Sequence, residues 1–285
     1  MNFVDFARAH GLEILNLYPS DRIIRCGTVD KPRSTNGAYF FDGKRGWVFD
    51  WSGDAKVNWF EGNGTWTPQE KTEWLSKRQT MKSDQAKSQA IVAERAEATL
   101  RSAKLDNHPY LEIKGFHDEK GLVIGEKLLI PMRDCVSNKI QGYQEILWNG
   151  EARKYEKKML AGMRAKNAVF YMGDRGAQAK IAVEGYATAL SVQAALKITG
   201  SKAAVICCFS ASNMVQILGS MSGKLGIYAD NDVSQTGEKA AIQTGLPYVM
   251  SDVVGHDAND DMQKFGTLFV AKKLLELNQK WMQRT

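Results

Sequence analysis

Cysteine is scarce in this sequence, and what there is falls in no metal-binding spacing. The four cysteines, Cys26, Cys135, Cys207 and Cys208, form no C-x-x-C pair, and the last two sit inside an apolar run. They read as reduced, mostly buried thiols of a cytoplasmic protein rather than as a disulfide framework. No apolar stretch reaches the ~18 residues needed to span a bilayer, so no membrane partner is expected. The opening MNFVDFARAHG already carries Asp5 and Arg8 and reads as the start of a helix, not as a leader. Two ion and nucleotide motifs are also missing. GSMSGKL is one residue short of a Walker A loop and continues with Leu, which excludes an ATP-driven motor of that type. DNDVSQTGEKAA and DANDDMQKFGTL lack the central Gly and final Glu of a calcium EF-hand loop.

The chain has 285 residues, a formal net charge of +6 and a pI near 9.0. That length suits one large domain or several smaller ones, and the mild basic excess favours an anionic partner such as nucleic acid. A short amphipathic helix is expected at about 3–10, followed by three strand-like runs, DRIIRCG, GAYFFDG and GWVFDW, with turns at Asn36-Gly37 and Asp42-Gly43. Trp47, Phe49, Trp51, Trp59 and Trp66 crowd this segment and read first as the core of a small sheet. The other reading is a base-stacking platform, with Arg22, Arg25, Lys31, Arg33 and Arg45 nearby for phosphates. Residues 1–66 are therefore expected to form a small β-rich domain. Residues 67–105 are rich in charged residues and alanine, with sparse apolar positions (Leu75, Met81, Ile91, Val92, Leu100), and are expected to form a charged helical linker.

From His108 the pattern is α/β. HPYLEIKGF predicts a short helix ending near Gly115, and KLLIPMRD and KIQGYQEIL predict a strand pair. The stretch 151–166 then carries Arg153, Lys154, Lys157, Lys158, Arg164 and Lys166 against only Glu151 and Glu156. Residues 106–175 are expected to form a mixed α/β basic subdomain. Across 176–285, strands (KIAVEG, AAVICCF, KLGIYAD, PYVM) alternate with helices (YATALSVQAALKI, ASNMVQILGSM, QTGEKAAIQTG), and a long helix runs from Asp260 toward the end. Such alternation implies a mostly parallel sheet with helices on both faces.

Ligands of such sheets bind outside the carboxyl ends of the strands. Glu184 closes the first of these strands and precedes Gly185, Asp230 and Asp232 close a later one, and Asp257, Asn259 and Asp260 follow PYVM. An acidic residue after a strand is often only a helix cap or turn former. Glu-Gly, Asp-x-Asp and Asp-x-Asn-Asp in order, each after its own strand, point further, to a site for hard divalent ions that share oxygen ligands with phosphates.

At these residues the sequence resembles the TOPRIM family, which is shared by bacterial-type primases, topoisomerases and certain nucleases. VEGYATALS, YADND and HDAND carry the likeness, and they are similar to primases of phages and plasmids. HPYLEIKGF, LLIPMRD, QGYQEI and GEARKYEKKM extend it to the basic half of a primase catalytic core, so that it covers about 106–285. The resemblance implies metal-dependent primer synthesis. Glu184, Asp230 and Asp232 would be catalytic and, with Asp257 and Asp260, would ligate Mg²⁺ or Mn²⁺. Lys114, Arg153, Lys154, Lys157, Lys158, Arg164 and Lys166 would hold template backbone or triphosphate. The implied partners are a single-stranded DNA template, nucleoside triphosphates, and a replicative helicase or replication initiator. Cys26 and His10 cannot make the zinc ribbon with which such primases usually begin, so no zinc is expected. A TOPRIM nuclease and a non-catalytic single-strand-binding accessory protein are the alternatives.

Overall fold

The computed structural model describes residues 1–50, 57–60 and 68–283. Trp51 and Trp66 lie outside the described residues, as does the side chain of Leu75. The chain divides into two compact units, residues 1–80 and 81–285.

In the first unit, helix α1 (Phe3–Ala9) is started by Asn2, whose side chain accepts the Asp5 N–H at 2.9 Å. Strands β1 (Leu12–Glu13), β2 (Ser20–Thr28), β3 (Gly37–Phe41), β4 (Gly46–Asp50) and β5 (Asn58–Phe60) follow as an antiparallel sheet in sequence order. Strand alternation splits the aromatics between two faces. Tyr39 and Val48 join Phe3, Leu12 and Ile14 in the core. Phe40 pairs across β3–β4 with Trp47, and Trp47 pairs with Trp59, which places all three on the other face, where Trp59 is 54% exposed. The core of the small sheet is thus made of Phe, Tyr and aliphatic side chains, and the described tryptophans are not in it. Helix α2 (Pro68–Ser102) is one continuous helix that starts in the first unit and continues into the second.

The second unit continues with β6 (Lys104–Asp106), α3 (Pro109–Ile113), β7 (Gly121–Ile124), β8 (Lys127–Asp134), β9 (Ile140–Asn149), β10 (Lys154–Met159) and β11 (Ala168–Met172). Then come β12 (Ala179–Val183), α4 (Tyr186–Ile198), β13 (Ala204–Cys207), α5 (Ala211–Leu218), β14 (Lys224–Ala229), α6 (Thr236–Thr244), β15 (Tyr248–Met250), α7 (Ala258–Phe265) and α8 (Thr267–Met282). All its strands join one 10-stranded sheet, whose main path runs β10-β9-β8-β11-β13-β12-β14-β15. The last four strands of that path are mutually parallel. Strand β11 is antiparallel to both neighbours and links them to the antiparallel β8–β10 meander. The parallel part matches the alternating pattern of the sequence. The whole sheet is mixed, because the basic segment supplies strands to the same sheet.

The parallel strands are covered on both faces, which is why they read as unbroken apolar runs. Ile181, Val183, Val205, Cys207 and Tyr228 pack with α4 and α8 on one side. Ala182, Ile206, Ile227 and Ala229 pack with α5 and α6 on the other. All four cysteines are free, and burial pushes the Cys207 thiol up to about 12. The long helix expected from Asp260 is two helices. Asp257 and Asp260 form a capping box that starts α7, and Gly266 at φ +83° ends it before α8 resumes.

Candidate metal and phosphate site

The strand order places β12 beside β14, and the connection after β12 runs to β13 on one side while the connection after β14 runs to β15 on the other. A crevice opens at such a switch point, at the carboxyl ends of the strands. Ala182 of β12 is in register with Ile227 of β14, which brings Glu184 and Asp230 out of adjacent strand ends at nearly the same level.

The two carboxylates are mostly buried and share one electrostatic environment. Burial raises the Glu184 carboxyl and Asp232 raises it further, against Lys157 and the Ala211 N–H, which lower it. Burial pushes Asp230 up to about 8, aided by the charges of Asp257 and Glu184 and opposed by Lys157. Asp230 Oδ1 is buried and has no hydrogen-bond partner. Asp232, two residues on, behaves oppositely. Burial acts to raise it, but it is lowered overall because it accepts the Ser234 hydroxyl, the Gly237 N–H at 3.1 Å and the Thr236 N–H at 3.2 Å. Thr236 and Gly237 are the first two residues of α6, so Asp232 also takes up that helix's first free amides from beyond its N-cap residue, Gln235.

The loop between the two aspartates is fixed to the next loop along the edge. The Asn231 N–H donates to the His256 carbonyl at 3.0 Å, and the Asn231 side chain donates to the Ser251 carbonyl at 3.0 Å. Gly237 lies against the Asp230 backbone, and a Cβ there would run into the Asp230 carbonyl oxygen. Asp257 accepts the Thr188 hydroxyl at 3.1 Å while capping α7, and Asp260 returns a bond to the Asp257 N–H at 3.1 Å. Three of the five acidic candidates therefore do the capping work that such residues commonly do. Glu184 and Asp230 are left as the carboxylates with fewest donors.

Of the basic candidates, Lys157 is the one whose charge reaches Glu184 and Asp230. Alternation along β10 turns Lys154 and Lys158 to its other face, where Lys158 pairs with Glu156 at 2.6 Å. Arg153 sits in the exposed β9–β10 turn with φ +49°. Arg164 is exposed and helps lower Asp134, and Lys166 is exposed. Lys114 caps the C-terminus of α3, where its carbonyl accepts the Asn259 amide at 2.9 Å. The basic stretch is thus not a single patch facing the acids, because a strand divides its charges between two sides.

Sequence reasoning passed over Asp261 and gave Asn259 no role of its own. Asp261 is fully buried, accepts the Ser251 hydroxyl at 2.7 Å and the Tyr228 hydroxyl at 3.1 Å, and stands 3.0 Å from His256 Nδ1. Asn259 is fully buried and also donates to Ser191 at 3.2 Å. Their signal was available in DANDD, since a polar residue on the inward face of a first helical turn must be satisfied internally.

Among the described residues, no three His, Cys, Asp or Glu side chains by themselves enclose a metal. The donor set nevertheless fits Mg²⁺ or Mn²⁺. It is made of hard oxygens, it contains an orphaned buried carboxylate oxygen, and like charges oppose its ionisation. Mg²⁺ typically takes one or two protein carboxylates and keeps water and phosphate oxygens for the rest. Residues 179–267, from the first residue of β12 to the first of α8, match the Toprim domain, a domain found in primases, nucleases and topoisomerases that in general binds Mg²⁺. A search of curated proteins finds no match to the chain.

Proposed function

We propose that this chain is a DNA primase or primase-like protein of a phage or plasmid, making short primers on single-stranded DNA in a metal-dependent reaction. One observation carries the reading. Glu184 and Asp230 leave adjacent parallel strands at the switch point of a Toprim domain, with Asp230 Oδ1 unpartnered and the Lys157 charge within reach of both.

In this reading Glu184, Asp230 and Asp232 hold one or two Mg²⁺ or Mn²⁺ ions. A bound divalent ion would supply charge neutralisation and alignment for attack of a 3′-hydroxyl on a nucleotide α-phosphate, with pyrophosphate leaving as the α–β bond breaks. The chain's own side chains set the conditions. Near neutral pH Asp230 holds its proton unless a cation offsets burial and its acidic neighbours. Asp232 is locked by the first turn of α6, so its orientation is settled before substrate arrives. Asp257 and Asp260 act as positioning residues, holding the start of α7 and, through Thr188, the first turn of α4. Lys157 attracts triphosphate or backbone phosphate toward the carboxylates.

The test is nucleotide incorporation on a single-stranded template with Mg²⁺ or Mn²⁺. The parent is expected to extend primers, and Asp230→Asn to abolish incorporation while leaving template binding intact. Full activity in that variant overturns the assignment of the site. Metal-dependent loss of a labelled strand without incorporation replaces the primase reading with a nuclease.

A further inference from the structure

The mixed sheet ends in the two-stranded ribbon β9–β10, whose faces differ in chemistry. On one face two cations are paired, Lys127 with Glu145 at 2.8 Å and Lys158 with Glu156 at 2.6 Å, and Lys154 stands exposed beside them. On the other stand Trp148, Tyr155 and Lys157, which register and alternation place together: Tyr155 is opposite Trp148, and Lys157 is opposite Ile146. Lys157 is exposed and has no ion pair among the described residues.

The rings on this face form a connected row. Trp148 and Tyr155 have centroids 5.2 Å apart, and Tyr155 and Tyr110 are 5.3 Å apart, both edge to face. Lys157 Nζ lies 5.9 Å from the Tyr110 ring centroid. The row runs inward, because Tyr110 is buried and lies within reach of the Asp257 charge, while Trp148 at its outer end remains 48% exposed. Trp281 shows how the fold uses a structural tryptophan, since its indole N–H donates to the Leu225 carbonyl at 2.6 Å. Trp148 has no such bond among the described residues and leaves half its surface to solvent. Glu112 is the carboxylate whose charge acts on Tyr155.

An exposed aromatic beside an unpaired cation is the combination that binds single strands: bases stack on the ring, and phosphates meet the cation. We infer that Trp148, Tyr155 and Lys157 form the path by which single-stranded DNA approaches the acidic site, with a base stacked on Trp148 and its backbone passing Lys157. The inference rests on the template-using reading above and adds to it the residues that grip the template.

The test measures binding of a fluorescent oligo-dT to the full chain by anisotropy in EDTA, which separates binding from catalysis. Trp148→Ala is expected to weaken binding roughly 5- to 150-fold, the loss of one base–aromatic stack. Trp148→Phe should restore most of the affinity and, because it keeps an aromatic ring, guards against a folding artefact. Lys157→Ala should weaken binding and reduce the slope of log K against log salt by about one. Lys158→Ala, on the opposite face, should match the parent. Binding of a duplex, whose bases are already stacked, should not respond to Trp148→Ala. Parent-like oligo-dT binding by Trp148→Ala, or equal losses from Lys157→Ala and Lys158→Ala, overturns the path while leaving the acidic site standing. A parent that binds no single-stranded DNA overturns both this path and the template-using reading.

Discussion

Asp230 and Asp232 are two residues apart, yet their surroundings drive them in opposite directions. Asp230 is buried among Asp257 and Glu184 and has an orphaned oxygen, whereas Asp232 is supplied with donors by α6. The consequence for stability has a definite sign. A carboxyl raised from 3.8 to about 8 holds its proton more tightly folded than unfolded. Its contribution is therefore fully present below about pH 4 and is lost as pH rises toward and through about 8. In EDTA, the thermal midpoint should fall between pH 6 and pH 8.5, on the order of the interval set by that shift, and Asp230→Asn should flatten the fall. Mg²⁺ should raise the midpoint more at the higher pH, because it binds the ionised form. An Asp230→Asn variant with the parent's pH dependence would remove Asp230 as the source. Asp232→Ala, by contrast, should cost about 1 kcal/mol of stability at neutral pH through loss of its bonds to the first amides of α6, measurable by urea unfolding. At this scale the position of the acids just past strand ends was legible, since Asp-x-Asp after a strand is a local pattern. The sequence could not tell ligand from cap, because that depends on which N–H groups each carboxylate meets after folding.

The elements explain why the basic residues were harder to read than the acidic ones. In a strand, neighbouring residues point apart, so Lys157 and Lys158 serve different faces although they adjoin in sequence. Charge counting along 151–166 cannot see this without knowing that the segment is a strand. The break between α7 and α8 was similarly missed: the helical pattern continues through Gly266, and only its φ of +83° shows that the chain turns there. The parallel strands were legible because burial on both faces leaves an apolar run that little else mimics. Gly237 offers a test at this scale. It sits in the first turn of α6, and a methyl group there would displace the Asp230 carbonyl. Gly237→Ala should cost about 1–3 kcal/mol by overpacking. It should also lower any metal-dependent activity by about a hundredfold, because a displacement near 1 Å is enough to spoil alignment. Parent-like activity and stability would mean that the loop carrying Asp230 tolerates movement.

For the whole molecule, the division into two units separates what each part can contribute. The first unit has its own core around Phe3, Leu12, Tyr39 and Val48. Cys26 is half-buried in β2 and its thiol is pushed up to about 11 by burial, a poor state for a metal ligand, which must be a thiolate. Elemental analysis of the purified protein should find no stoichiometric zinc, and one tightly held zinc per chain would overturn this account of the unit. The second unit contains Glu184, Asp230, Asp232, Asp257 and Lys157 together with both of the cores that support them. The carboxyl ends of β12 and β14 are set by strand pairing within 81–285, and the loops that follow are tied to one another by bonds inside the same range. A fragment of residues 81–285 should therefore fold and show the same Mg²⁺-induced rise in thermal midpoint at pH 8.5 as the full chain. Its Asp230→Asn variant should lose that rise. A fragment that folds, as judged by a cooperative melt, but does not respond to Mg²⁺ would show that the ion site needs groups from the first eighty residues, and the assignment of the site to the switch point alone would fail.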